Sequence, residues 1–336
     1  MHPSAIAHQG ILLTSDLARA GNEARQVQRA SASGAIHRVR RGAYVDRAVW
    51  DAAGARGRYL LQLRAVAATR RTPPVFSLTS AAALHGLPVM GRSSTTVHVS
   101  SEAPGHSRNG VAQHLVRPGS STVMVDGLQC TSLVDTLADL AVSASFASAV
   151  VSIDHALHAA ARSALPAGEW MLPESVAAAS AAAALRESVR MVLETCAPVR
   201  GRRRALQIVD FSTHLSDSPG ESVSRSNMHL LGFPPPELQH PFFDYLGLIG
   251  WGDFWWEHLR LLGEFDGENK YTNPLFLAGR TAAQAVIDEK WREDRIRATD
   301  AGVSRWGWST ATDLSALYAK LSSAGLRPVA ARPKAL

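Results

Sequence analysis

Asp253 and Glu264 are 11 residues apart. They lie on strand-like runs joined by a tight turn at Glu257-His258, so antiparallel pairing is expected to bring both carboxylates to one side of a hairpin. Two such oxygen donors can hold a hard divalent cation, Mg2+ or Mn2+. A cation of this kind keeps several waters and so leaves positions open for a phosphate and an attacking water. Glu221 would add a third carboxylate from a preceding helix, and Asp266 a fourth, two residues beyond Glu264 and hence on the same strand face. Four acids aimed at one point repel one another unless a cation or a proton sits among them. Lys270 follows closely, one of only 4 lysines in a chain whose Lys and Arg total 35. Its compact, repositionable ammonium suits a phosphate or a water. The same Asp, Glu and Lys residues also read as a surface salt-bridge loop.

The elements that must carry these side chains follow from spacing. Pro219 opens a helix bearing Glu221, and Gly232 ends it. Strands are expected at Glu237–Tyr245, Trp251–Trp256 and Leu259–Phe265, then a long helix over Thr281–Ala301, a strand at VSRWGW and a helix over Asp313–Ala324. Hairpins followed by a helix and a further strand predict a mixed sheet flanked by helices. The tryptophans at 251, 255, 256, 291, 306 and 308 alternate along strands, which favours a core role over base stacking.

The charge is unevenly placed. The chain has 336 residues and a formal charge of +6. Between Arg19 and Arg71 there are 12 arginines against Glu23, Asp46 and Asp51, so 12 − 3 = +9 falls there and −3 elsewhere. Such a concentrated patch suits a polyanion, because neutralised phosphates release counterions; a solvated arginine-rich surface reads the same way. The first 58 residues read as three short helices and a hairpin: Ser4–Gln9, Asp16–Ala20, Glu23–Ala32, then IHRVRRGAYV around an Arg-Arg-Gly turn. That order predicts a winged helix-turn-helix. Its third helix would offer Arg25, Gln26, Gln28 and Arg29 to a DNA groove, and its wing would set Arg38, Arg40 and Arg41 near phosphates.

Residues 59–165 read as an α+β domain, with strand runs at VFSLTS, TTVHVS, VAQHLV and STVMVDGLQCTS and helices at LVDTLADLAV and ASAVVSIDHAL. The spacings of its histidines match no usual metal pattern, and a structural role is expected for them. Residues 166–212 form a helical connector, and 213–336 the domain carrying the acids. The expected fold class is therefore multidomain, α/β and α+β. Only Cys130 and Cys196 are present, too few for a disulfide framework or a structural zinc site. No apolar run reaches the ~18 residues of a membrane span. The start MHPSAIAHQG lacks the basic, then apolar, pattern of a signal peptide, so a cytoplasmic protein is expected.

The segment Ser218–Trp308 resembles the PD-(D/E)XK nuclease superfamily, in its compact branch similar to very-short-patch-repair endonucleases. That resemblance implies a helix Glu (Glu221), a strand Asp (Asp253) and a second acid (Glu264) around Mg2+ or Mn2+. Asp266 stands where the superfamily's lysine falls, and Lys270 is the displaced candidate. The first half, with VRRGAYV and SAAALHGLP, resembles the N-terminal region of AbiEi-type antitoxins of abortive-infection systems. Two expectations follow. One is a DNA-binding, metal-dependent endonuclease in which Asp253, Glu264 and Glu221 bind the cation and Lys270 serves the water or the phosphate. The other is an antitoxin-like transcription regulator, paired with a toxin or with itself, whose nuclease fold does no chemistry.

Overall fold

The computed structural model describes residues 10–14, 29–90, 96–103, 105, 107–166, 172–195, 200–267 and 281–329. The chain divides into two compact units, 1–143 with 189–202, and 144–188 with 203–336.

The first unit opens on a small antiparallel sheet. Strand β1 (Leu12–Leu13) pairs with β3 (Ala43–Asp46), and β3 with β2 (Ile36–Arg40), giving the order β1-β3-β2. The Arg-Arg-Gly turn forms the β2–β3 hairpin as expected, with Gly42 at a φ of +82° that a side chain would strain. Of the three predicted N-terminal helices, only residues 29–32 are described, and they are helical. Asp46 caps the short helix α1 (Arg47–Ala52) through its carboxylate, which accepts from the Ala48 N–H.

Helix α2 (Ala55–Thr69) then serves two cores at once. Leu61 and Ala65 pack with Ile11, Leu13, Ala43 and Val45 under the small sheet. Leu63 and Val66 pack with Phe76, Val97, Val99, Val111 and Cys130. Burial on opposite sides leaves no polar stripe to mark one inner face.

The expected strand at VFSLTS is largely replaced. Phe76 alone makes isolated bridges to Val99 and Cys130, after which the chain turns into helix α3 (Leu78–Leu84). Strands β4 (Val97–Ser101) and β5 (Val111–Leu115) run parallel, and β6 (Thr122–Val125) and β7 (Leu128–Thr131) form a hairpin about Asp126-Gly127. Val75–Ser77 stitches the two pairs together, with Phe76 N–H donating to Gln129 C=O and Ser77 N–H to His98 C=O. Helix α4 (Leu133–Ser143) follows. Burial pushes the Cys130 thiol up to about 11, which marks a packing residue. Cys196 lies outside the described residues.

In the second unit, helices α5 (Phe146–Ser163), α6 (Val176–Thr195, whose last turns belong to the first unit) and α7 (Arg202–Phe211, whose first residue belongs to the first unit) precede the sheet. Helix α8 (Pro219–Leu230) comes next, then strands β8 (Glu237–Asp244), β9 (Gly247–Trp256) and β10 (Leu261–Phe265) as an antiparallel meander. Helix α9 (Ala282–Arg297) crosses over to β11 (Gly302–Trp306), which pairs parallel with β10; α10 (Trp308–Thr312) and α11 (Leu314–Ser323) finish the unit. The sheet order is β11-β10-β9-β8. Pro241 lies in β8, an edge strand, where its missing donor costs no ladder bond.

Aromatic side chains fill both faces of this sheet. Phe242, Trp255 and Leu262 pack with Ile296 of α9. Elsewhere in the sheet Phe254 stacks on Trp306, whose indole N–H donates to Ser224 of α8. Gly263 leaves room for the Trp306 ring, which an added Cβ would meet at 2.6 Å. Trp255, Trp256 and Trp306 are thus core, as alternation along the strands predicts, whereas Trp291 is exposed. No described helix is long and apolar enough to cross a membrane.

Candidate functional site

The predicted acids gather at the β9–β10 end of the second unit, but each has its own set of partners. Glu221 sits in the first turn of α8, where Ser218 caps the helix: the Ser218 hydroxyl accepts from the Glu221 N–H at 3.2 Å, and donates to its carboxylate at 2.6 Å. Asp217 N–H and the Gln239 amide donate to the second oxygen at 2.9 and 3.3 Å. Ser218-Pro219-Gly220-Glu221 has capping-box spacing, a local signal that the metal-centred reading of Glu221 leaves aside. Burial, then the neighbouring charges of Asp253 and Asp217, push the Glu221 carboxyl well above the ordinary carboxylate range.

Asp253 lies one step past the Gly263/Phe254 pair of the β9–β10 ladder and accepts from the Phe265 N–H at 2.7 Å. Its charge reaches both Glu221 and Arg292. Hairpin pairing therefore brings Asp253 beside Glu264's strand, as the spacing predicts, and also brings it into the field of Glu221.

Glu264 is buried and held by arginines. One oxygen accepts from Arg292 at 2.8 Å, and the other meets Arg305 at 2.5 Å. Arg305 also reaches Glu289 at 2.7 Å, Glu293 at 3.0 Å and Asp266 at 3.5 Å. Burial works against the charge on Arg305, yet Glu264, Glu289 and Asp266 together hold its pKa above the ordinary guanidinium value; Glu264 and Glu289 do the same for Arg292. In this arrangement guanidinium groups occupy the oxygens that a cation would take from Glu264. Among the described residues, no group of three or more His, Cys, Asp or Glu is arranged to hold a metal ion. Glu221 and Asp253 remain as a carboxylate pair whose mutual repulsion a divalent cation would relieve, and Mg2+ is commonly bound through one or two carboxylates. Lys270 lies outside the described residues.

Sequence reasoning passed over Arg292 and Arg305. Both are arginines in an arginine-rich chain, and only the α9 crossover and the parallel β10–β11 register bring them onto Glu264. It also passed over the anchor beneath α8. Arg225 donates to Asp154 of α5 at 2.8 Å and to the Phe211 carbonyl at 2.9 Å, and lies 4.0 Å over the Phe211 ring; Asp154 takes a further bond from Thr213 N–H.

A second candidate surface lies on the small sheet of the first unit. Arg38 and Arg41 are exposed on the β2–β3 hairpin and Arg40 is half-buried. Burial and the nearby Arg70 lower the pKa of Arg40, so the end of α2 adds a cation to the wing. Arg29 is exposed at the end of the preceding helix, while Arg25, Gln26 and Gln28 lie outside the described residues.

Residues 3–45 match the family of transcriptional regulators described as AbiEi antitoxins. The N-terminal region is thus antitoxin-like, and the match ends within the β2–β3 hairpin. Comparison with curated proteins gives no match.

Proposed function

We propose that this chain is a DNA-binding regulator of the AbiEi antitoxin kind. The observation that carries the reading is the coincidence of the family match over residues 3–45 with a basic β-hairpin wing. Arg38, Arg40 and Arg41 would contact phosphates, and the helix expected over Glu23–Ala32, with Arg25, Gln26, Gln28 and Arg29, would read the groove. A cognate toxin or a second copy of the chain would be its protein partner. Titration of the full-length protein onto its own promoter should give specific binding that falls steeply with salt. Equal affinity for promoter and unrelated duplex would sink the reading.

A second reading is favoured by one observation in the other unit: a helix, three antiparallel strands, a crossover helix and a parallel strand set Glu221 and Asp253 within each other's field. This supports a PD-(D/E)XK-like frame and a metal-dependent endonuclease. A bound Mg2+ or Mn2+ would supply charge for a phosphate and activate a water. Glu221 and Asp253 would hold it, and Lys270 would orient the water or the scissile phosphate. Glu264 and Asp266 would join the cation's shell only if Arg292 and Arg305 released them. Supercoiled DNA incubated with Mn2+ decides this: nicking by wild type that is lost in Asp253→Asn and Lys270→Ala supports the nuclease, and no nicking by wild type leaves the regulator alone.

A further inference from the structure

A cavity of about 650 Å3 lies wholly within the first unit, well inside the range of small-molecule sites at ~300–1,000 Å3. Its apolar wall includes Leu78, Leu115, Val142 and Leu193. The polar groups on its lining are not equivalent. Arg117 is neutralised by Asp135 at 2.5 Å and Asp139 at 3.0 Å. His114 is engaged with His98, their ring nitrogens 2.8 Å apart. Arg202, half-buried on the lining, is a cation donating only to the Glu194 carbonyl and without such a counter-charge among the described residues. Ser77 borders the cavity at 3% exposure, its hydroxyl sealed from it and without a hydrogen-bond partner among the described residues. Strained backbone tends to gather at ligand sites. Leu78, next to Ser77 and also on the lining, has a φ of +50°.

We propose that this cavity binds a small organic acid: an apolar body against Leu78, Leu115, Val142 and Leu193, and its anionic group on Arg202. The match to antitoxin-type regulators ends at residue 45, before the first cavity residue. The site therefore stands or falls independently of the DNA-binding reading.

The probe is 1-anilinonaphthalene-8-sulfonate, an aromatic body with one anion, titrated by fluorescence into full-length protein alongside its uncharged relative N-phenyl-1-naphthylamine. Two variants separate cavity from charge. Ser143→Trp places a large ring at an exposed lining position, and Arg202→Glu reverses the proposed anion partner. Wild type should bind both probes saturably. Ser143→Trp should weaken both, and Arg202→Glu should weaken the sulfonate probe by about tenfold or more while sparing the uncharged one, since a charged hydrogen bond is worth at least that much. Circular dichroism and melting temperature must match wild type; if Ser143→Trp does not fold, Ser120→Trp, on the same lining, takes its place. No binding by wild type, or full sulfonate binding by the folded tryptophan variant, overturns the site. Equal loss of both probes in Arg202→Glu overturns the anion assignment.

Discussion

Glu221 is at once a helix-capping residue and a buried acid beside Asp253, and pH separates the two roles. Because its folded-state pKa is raised above the ordinary value of 4.5, stability linked to this group is full below that value and is lost as pH rises through the folded-state pKa. Urea unfolding in metal-free buffer should therefore show wild type losing stability above pH 4.5 relative to Glu221→Gln. Mn2+ should recover the loss in wild type alone. Parallel pH curves for the two proteins would remove Glu221 from any charged centre. Asp154 is different, because it is fully buried and its charge is matched by Arg225. Asp154→Ala leaves a buried guanidinium unpaired and should cost about 3–5 kcal/mol, much of it recovered by an Asp154→Leu, Arg225→Met double change. A double variant no more stable than Asp154→Ala would mean that packing, and not charge, holds the site.

At the level of elements, the approach of α8 to the sheet depends on a missing side chain. A Cβ on Gly220 would lie 2.0 Å from the Phe265 ring. Alanine would gain up to ~1 kcal/mol in helix propensity. Overpacking of this kind costs about 1–3 kcal/mol, so Gly220→Ala is expected to be destabilising overall. Adding Phe265→Leu should relieve it, and denaturant midpoints of the single and double variants give the comparison; an unrelieved double variant would place the strain elsewhere. The two-sided helix α2 makes a related point. A cut after residue 58 would leave Leu61 and Ala65 without the small sheet that covers them, so arginine substitutions probe the wing more cleanly than truncation does.

For the whole molecule, charge is segregated, with +9 between Arg19 and Arg71 and −3 over the rest. If the wing binds the phosphates, Arg38→Ala, Arg40→Ala and Arg41→Ala combined should weaken DNA binding and shallow the log–log salt dependence by roughly 0.9 for each phosphate that is no longer neutralised. Anisotropy titrations across salt concentrations measure that slope. An unchanged slope would move the DNA-binding surface off the hairpin.

The sequence by itself determined the elements that depend on short-range chemistry. The Arg-Arg-Gly turn, the β8–β9–β10 meander, the start of α8 at Pro219 and its end at Gly232, and the core role of Trp255, Trp256 and Trp306 all follow from periodicity and turn residues. It also placed Asp253 and Glu264 on adjacent strands, because hairpin register is local. Tertiary structure decided what those acids face. Arg292 and Arg305 reach Glu264 only through the α9 crossover and the parallel pairing of β11, from 28 and 41 residues away along the chain. VFSLTS likewise reads as a strand by composition. Its first residues are drawn into the sheet by the distant β4 and β7, while the rest turns into α3 because Ala81, Ala82 and Leu84 find burial there. Local propensity is a weak prior wherever burial against a distant element outweighs it.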